Sequence, residues 1–181
     1  MTLILAVIGS SKSGKTTLIE YVTSKLIEEG YRVGTIKHVH SEGFTFDTPG
    51  KDTWRYRKAG ADVVLGVSDR ELWVFSKEVR KVEKVEDLLN VVQRRDLDLI
   101  MVEGFKSLTA RRRDIIKIVT AKDAEDLEES MKTVSGPIIA VTGPVAKSKL
   151  DDEGVKSPAV TIDIFCEGER LIRLIKQLMS R

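Results

Sequence analysis

Eight residues near the start of the chain, Gly9-Ser10-Ser11-Lys12-Ser13-Gly14-Lys15-Thr16, have the types and spacing to hold a phosphate chain. The pattern is G-x-x-x-x-G-K-[ST], placed directly after an apolar run, Leu3 to Ile8, and before a helical pattern from Thr17 onward. Gly9 and Gly14 permit backbone angles and a close approach that a side chain would block. The turn through Ser11, Lys12 and Ser13 directs successive N–H groups at one spot, where the helix N-terminus adds about half a positive charge. Lys15 can reach the β- and γ-phosphates, and the Thr16 hydroxyl can hold Mg²⁺. Lys12 either adds a phosphate contact or faces solvent.

A loop of this kind works only between a buried strand and a helix, and the flanking sequence supplies both. Residues 2–8 read as a parallel strand, and a helix from about Lys15 to Glu29 carries Leu18, Val22 and Leu26 on one face, closed by Gly30. Tyr31 to Lys37 completes a βαβ unit. Beyond a polar segment, His38 to Gly50, the pattern predicts a short helix over Asp52–Ala59. A β-hairpin of Asp62–Val67 and Glu71–Ser76 follows, expected to extend the sheet. Further strands are expected at Leu97–Val102, Ile115–Thr120, Ile138–Val141 and Ala159–Ile162, with helices at Val85–Arg94, Ala124–Lys132 and Glu167–Met179. The fold class is α/β, a three-layer arrangement with helices on both faces of a mostly parallel sheet, as a single domain over residues 1–181.

The chain of 181 residues has 30 basic and 28 acidic side chains, and its net charge of +2 does not point to a nucleic-acid partner. Its single cysteine, Cys166, excludes an intramolecular disulfide and is expected to pack beside the last helix. No apolar run approaches the roughly 18 residues needed to span a bilayer. The short N-terminal run lacks a basic leader, so a soluble cytoplasmic protein is expected.

Ligands of open parallel sheets bind outside the carboxyl ends of the strands, and that rule sorts the acids. Glu103 closes an apolar strand and can face the nucleotide, Mg²⁺ or a water on the metal; the alternative is an acid that only closes the strand. Asp98 lies five residues earlier, roughly 17 Å away at about 3.3 Å per residue. His38 and His40, with Glu42, Asp47 and Asp52, form either a switch loop over the γ-phosphate or a transition-metal site. In the first reading Asp47 or Asp52 reaches Mg²⁺. Asp52 is equally suited to capping the following helix. Lys106 and Arg111-Arg112-Arg113 make a basic loop suited to a second anionic ligand, or a solvated charge run.

These motifs occur in order. They are the phosphate loop through Thr17-Leu18, Ile36-Lys37-His38-x-His40, Phe46-Asp47-x-Pro49-Gly50-Lys51-Asp52-x-x-Arg55, Ala59-Gly60-Ala61, and Asp98 to Lys106 with its Glu103-Gly104-Phe105-Lys106. Together they resemble the MobB family, the molybdopterin-guanine dinucleotide biosynthesis proteins B, over residues 3–120. The resemblance implies a P-loop NTPase fold and a GTP-binding homodimer with weak GTPase activity. The resemblance further implies that it acts beside a MobA-like guanylyltransferase that attaches GMP to molybdopterin, and that it contacts that cofactor as well. It implies that Gly14, Lys15, Thr16 and Thr17 hold phosphate and Mg²⁺, with Asp47 and Glu103 near the metal or attacking water. No guanine-reading Asn-Lys-x-Asp motif is present; Thr142-Gly143-Pro144 stands after the strand that would carry it. The alternative of a small-molecule kinase using ATP would need a lid with arginines, for which Arg111 to Arg113 are the only candidates.

Overall fold

The apolar run at the start of the chain becomes a central strand, β1 (Leu3–Gly9), and the phosphate loop leads from it into α1 (Lys15–Glu28). The computed structural model describes residues 2–39, 44–76, 82–92, 96–147 and 159–180. In chain order there follow β2 (Val33–Lys37), α2 (Asp52–Lys58), β3 (Val63–Val67), β4 (Leu72–Ser76), α3 (Val85–Val92) and β5 (Leu99–Glu103). Then come α4 (Lys106–Thr109), β6 (Ile116–Thr120), α5 (Ala124–Met131), β7 (Ile138–Thr142), a 3₁₀ turn (Pro144–Lys147), β8 (Val160–Thr161) and α6 (Ile164–Met179). Two compact units result: residues 1–38 with 83–181, and residues 39–82.

In the larger unit six parallel strands run in the order β2-β5-β1-β6-β7-β8. Side chains alternate along each strand, so the sheet sorts its apolar residues into two cores. Leu5, Val7, Leu99, Met101, Ile118 and Ala140 pack against Leu18, Val22 and Leu26 of α1 and Leu171, Ile172 and Ile175 of α6. Ala6, Ile8, Ile100, Val102, Val119 and Val141 pack on the other face, against Val85 and Leu89 of α3 and Leu127 of α5. Burying each such Leu or Ile fully stabilises the fold by about 1.5–3 kcal/mol. The expected three layers are present.

Gly30, in the left-handed region at φ 89°, ends α1 as the sequence suggests, and Tyr31 N–H donates to the Leu26 carbonyl at 3.0 Å. Cys166 does not pack beside the last helix: it lies within its first turn and is exposed. One buried polar side chain stands out. Lys117 of β6 is fully covered, and its ammonium donates to the carbonyls of Arg112 and, at 2.8 Å, Ser135. Among the described residues no helix is long and apolar enough to cross a membrane.

The smaller unit contains α2 and the β3–β4 hairpin. The two antiparallel strands pair with each other as a separate two-stranded sheet, so the hairpin is present as expected but adds no strand to the six. Its residues divide by face. Gly66 and Phe75 meet α2, with Gly66 open toward the Thr53 methyl and the Arg57 guanidinium 5.0 Å from the Phe75 ring centre. Val63, Leu65 and Val67 alternate with these, opposite Ser76, Val74 and Leu72, and all five apolar side chains are more than half exposed.

Candidate functional site

The phosphate loop is built by close backbone approach. A Cβ on Gly9 would lie 2.2 Å from the Thr120 carbonyl and 2.5 Å from Ser13 Oγ, so only glycine lets the loop leave β1 at this angle. Gly14 sits at φ 96° and opens α1, and Lys12 also takes a left-handed angle, φ 61°. A non-glycine residue held there marks a turn whose shape is imposed by its surroundings. Ser11, Lys12, Thr16 and Thr17 are exposed, whereas Ser13 is buried. Ser13 donates to the Ser10 carbonyl at 2.9 Å and lies 2.6 Å from Thr120 Oγ1. Lys15 folds back over the loop, donating to the carbonyls of Gly9 at 3.1 Å and Ser10 at 2.5 Å.

Glu103 meets this loop through sheet register. On β5 it pairs with Val7 of β1 on one side and Lys37 of β2 on the other, and Lys37 Nζ stands 3.4 Å from its Oε2. Burial lowers the pKa of the Lys15 ammonium; the Glu103 carboxylate opposes that, and the Lys37 charge adds to it. Lys15, Lys37 and Glu103 thus share one electrostatic site at the carboxyl end of the sheet. Asp98 lies at the other end, where its carboxylate accepts from Arg32 N–H at 2.7 Å. The Thr16 hydroxyl and the Glu103 carboxylate are hard oxygen donors of the kind Mg²⁺ takes, and the glycine-bounded turn with Lys15 suits a polyphosphate.

The other sequence candidates separate. Asp47 lies in the smaller unit: Oδ1 accepts from Thr48 N–H at 2.9 Å and Thr53 Oγ1 at 3.0 Å, and Oδ2 is buried 3.7 Å from Arg57. His38 packs against Gly104 and sets its ring 4.7 Å from that of Phe105. His40 and Glu42 lie outside the described residues, and among the described residues no cluster of three metal-ligating side chains occurs. Arg112 is taken up by Glu86, at 2.7 Å, and Asp114, at 2.6 Å. Arg111 instead lines a cleft of about 490 Å³ with Lys106, Ser107, Ala110 and Thr133. Arg113 is exposed.

Residues 4–142 match the family described as molybdopterin guanine dinucleotide synthesis protein B. The chain belongs to the MobB family. The molybdopterin-guanine dinucleotide biosynthesis adapter protein of Escherichia coli strain K12 is 36% identical over 145 residues, 78% of each chain. The adapter protein of Haemophilus influenzae is 40% identical over 103 residues, so the match spans 57% of that relative and 57% of this chain. In solved structures, a crystal structure of molybdopterin-guanine biosynthesis protein B superposes with a TM-score of 0.69. It is 28% identical, over 99% of this chain and all of that one. The fold is the P-loop NTPase fold of MobB proteins.

Within this MobB chain the loop rests on residues that sequence reasoning passed over. Ser10 Oγ donates to Asp126 Oδ2 at 2.8 Å, and the same oxygen accepts from Lys122 N–H at 2.9 Å. Gly143, at φ 99°, lies so close to the loop that a Cβ would stand 2.4 Å from the Ser13 carbonyl. The available signal was polar: Thr120 and Thr142 end the strands β6 and β7, and both are buried.

Proposed function

We infer that this MobB-family protein binds GTP with Mg²⁺ and acts as an adapter in the assembly of molybdopterin-guanine dinucleotide. A MobA-like guanylyltransferase partner, with molybdopterin as its acceptor, performs the nucleotidyl transfer. The observation that carries the reading is a phosphate loop already in shape, with Lys15 and Glu103 at one strand end. Gly9, Ser11, Lys12, Ser13, Gly14 and Thr17 wrap the phosphates through backbone and side-chain donors, and Lys15 neutralises the β- and γ-phosphates. Thr16 and Glu103 would hold Mg²⁺, and Asp47 is the further carboxylate that the family resemblance assigns to the metal. When bound, the ion neutralises the charge that builds on the phosphates.

Turnover is slow in this reading. Glu103 orients water, but the only glutamines in the chain are Gln93 and Gln177. Arg112 is committed to Glu86 and Asp114, which disfavours an arginine lid and with it the kinase alternative. The whole chain works as one nucleotide-binding domain in a cytoplasmic homodimer, and the exposed hairpin face supports pairing with a second copy. Calorimetric titration with GTP and ATP in Mg²⁺, on the parent and on Lys15→Ala, tests the reading. GTP is expected to bind more tightly than ATP, Lys15→Ala to weaken GTP about 10- to 100-fold, and hydrolysis to stay below about 1 s⁻¹. Equal GTP and ATP affinity would remove the guanine specificity.

A further inference from the structure

A nucleotide anchored by its phosphates at the end of β1 must lay its base along the carboxyl edge of the sheet. On the β6-β7-β8 side that edge is built as a continuous step. Gly143, just beyond β7, touches the phosphate loop, and Val145 N–H donates to the Ala121 carbonyl at 3.1 Å. Ile162 N–H, just beyond β8, donates to the Val141 carbonyl at 2.9 Å, which fixes the β8 end beside it. At about 4.8 Å per strand, the ends of β7 and β8 lie roughly 10 and 14 Å from that of β1.

Three features there leave groups available beyond their structural roles. Phe165 is 72% exposed although it lies in the first turn of α6, and Lys147 Nζ stands 5.1 Å from its ring centre. Asp163 accepts from Phe165 N–H at 3.0 Å through Oδ1, which leaves Oδ2 without a partner among the described residues. Thr142 Oγ1, at the end of β7, is buried without a hydrogen-bond partner. By strand alternation Thr142 faces the same side of the sheet as Ala140, the side that carries α1 and α6.

We propose that Asp163 and Phe165 form the guanine-reading subsite of this chain, taking the part of the absent Asn-Lys-x-Asp motif. The Asp163 carboxylate accepts from the ring N1–H and the exocyclic 2-amino group, and the Phe165 ring stacks on the purine. Lys147 supplies a cation suited to the acceptor edge, O6 and N7. Adenine carries a donor where guanine has O6 and no N1–H, so the carboxylate rejects it. The inference rests on the GTP-binding reading above and adds to it the residues that choose the base.

The test is calorimetric binding of GTP, inosine triphosphate, xanthosine triphosphate, ATP and inorganic tripolyphosphate to the full chain and two variants. Asp163→Asn keeps an oxygen to cap α6 while reversing the donor pattern. It should weaken GTP about tenfold or more, abolish the preference for GTP over inosine triphosphate, and raise xanthosine triphosphate affinity. Phe165→Ala should weaken all four nucleotides about 5- to 30-fold and leave tripolyphosphate unchanged. Thermal melts identify a variant that fails to fold, and the other variant then decides. Tight tripolyphosphate and GTP binding with both variants inert would overturn this subsite alone. No binding of any triphosphate by the parent would overturn the nucleotide reading as well.

Discussion

Ser13 Oγ and Thr120 Oγ1 lie 2.6 Å apart in a buried contact that joins the phosphate loop to the end of the neighbouring strand. Either hydroxyl can donate across this contact: Ser13 also reaches the Ser10 carbonyl at 2.9 Å, and Thr120 the Ile8 carbonyl at 3.5 Å. The loop therefore takes its shape partly from β6, more than 100 residues further along the chain.

Thr120→Val keeps the volume and removes that hydroxyl. The variant should lose about 1 kcal/mol of stability in denaturant unfolding and bind triphosphate more weakly, whereas Thr120→Ser should restore both. A Val variant with unchanged affinity would mean that the loop holds its shape without β6.

Glu103→Gln removes the charge that meets Lys37 at 3.4 Å. Triphosphate affinity measured without Mg²⁺ should change little. The metal-dependent gain in affinity should shrink, and hydrolysis should fall by about a hundredfold, within the range of positioned acid–base groups. An unaltered hydrolysis rate would exclude Glu103 from the reaction.

Acid sensitivity is expected around Arg112. Its guanidinium donates to Asp114 and holds that carboxyl at about 2, below the ordinary 3.8. A carboxylate with a lowered folded pKa stabilises the fold above its unfolded pKa and loses that contribution as protons bind. The parent should exceed Asp114→Asn in stability at pH 7 by less than about 1 kcal/mol, because the pair is largely solvent-exposed. The gap should close as pH falls from about 4 through 2, measured by denaturant unfolding at each pH.

In the proposed homodimer the hairpin face of Val63, Leu65, Val67, Leu72 and Val74 is expected to hold the two copies together. Leu65→Glu with Val74→Glu places like charges directly opposite each other and should give monomers in analytical ultracentrifugation, with nucleotide affinity retained. A parent that sediments as a monomer would remove the dimer from the functional reading.

Residues whose meaning depends on local order were legible in the sequence. Strand, loop and helix from Leu3 to Glu28 follow from apolar length and two glycines. Counting along one strand was enough to prefer Glu103 over Asp98, which does sit at the opposite end, on Arg32. What stayed hidden depends on partners distant in sequence. Ser10 and Asp126 are 116 positions apart, and nothing local marks Asp126 as a support for the loop. Arg111 to Arg113 read as one basic run, yet Arg112 is neutralised by Glu86 and Asp114 while Arg111 lines a cleft. The hairpin was readable from its alternation, but alternation cannot say which sheet a strand joins.

Lys15 already grips the carbonyls of Gly9 and Ser10, so an incoming phosphate competes with the loop's own oxygens for the ammonium. What the lysine adds to affinity is the difference between an anionic acceptor and two neutral ones. That difference favours charged ligands: one carrying only neutral oxygens gains little by displacing the carbonyls, whereas an anionic oxygen gains a charge-assisted bond.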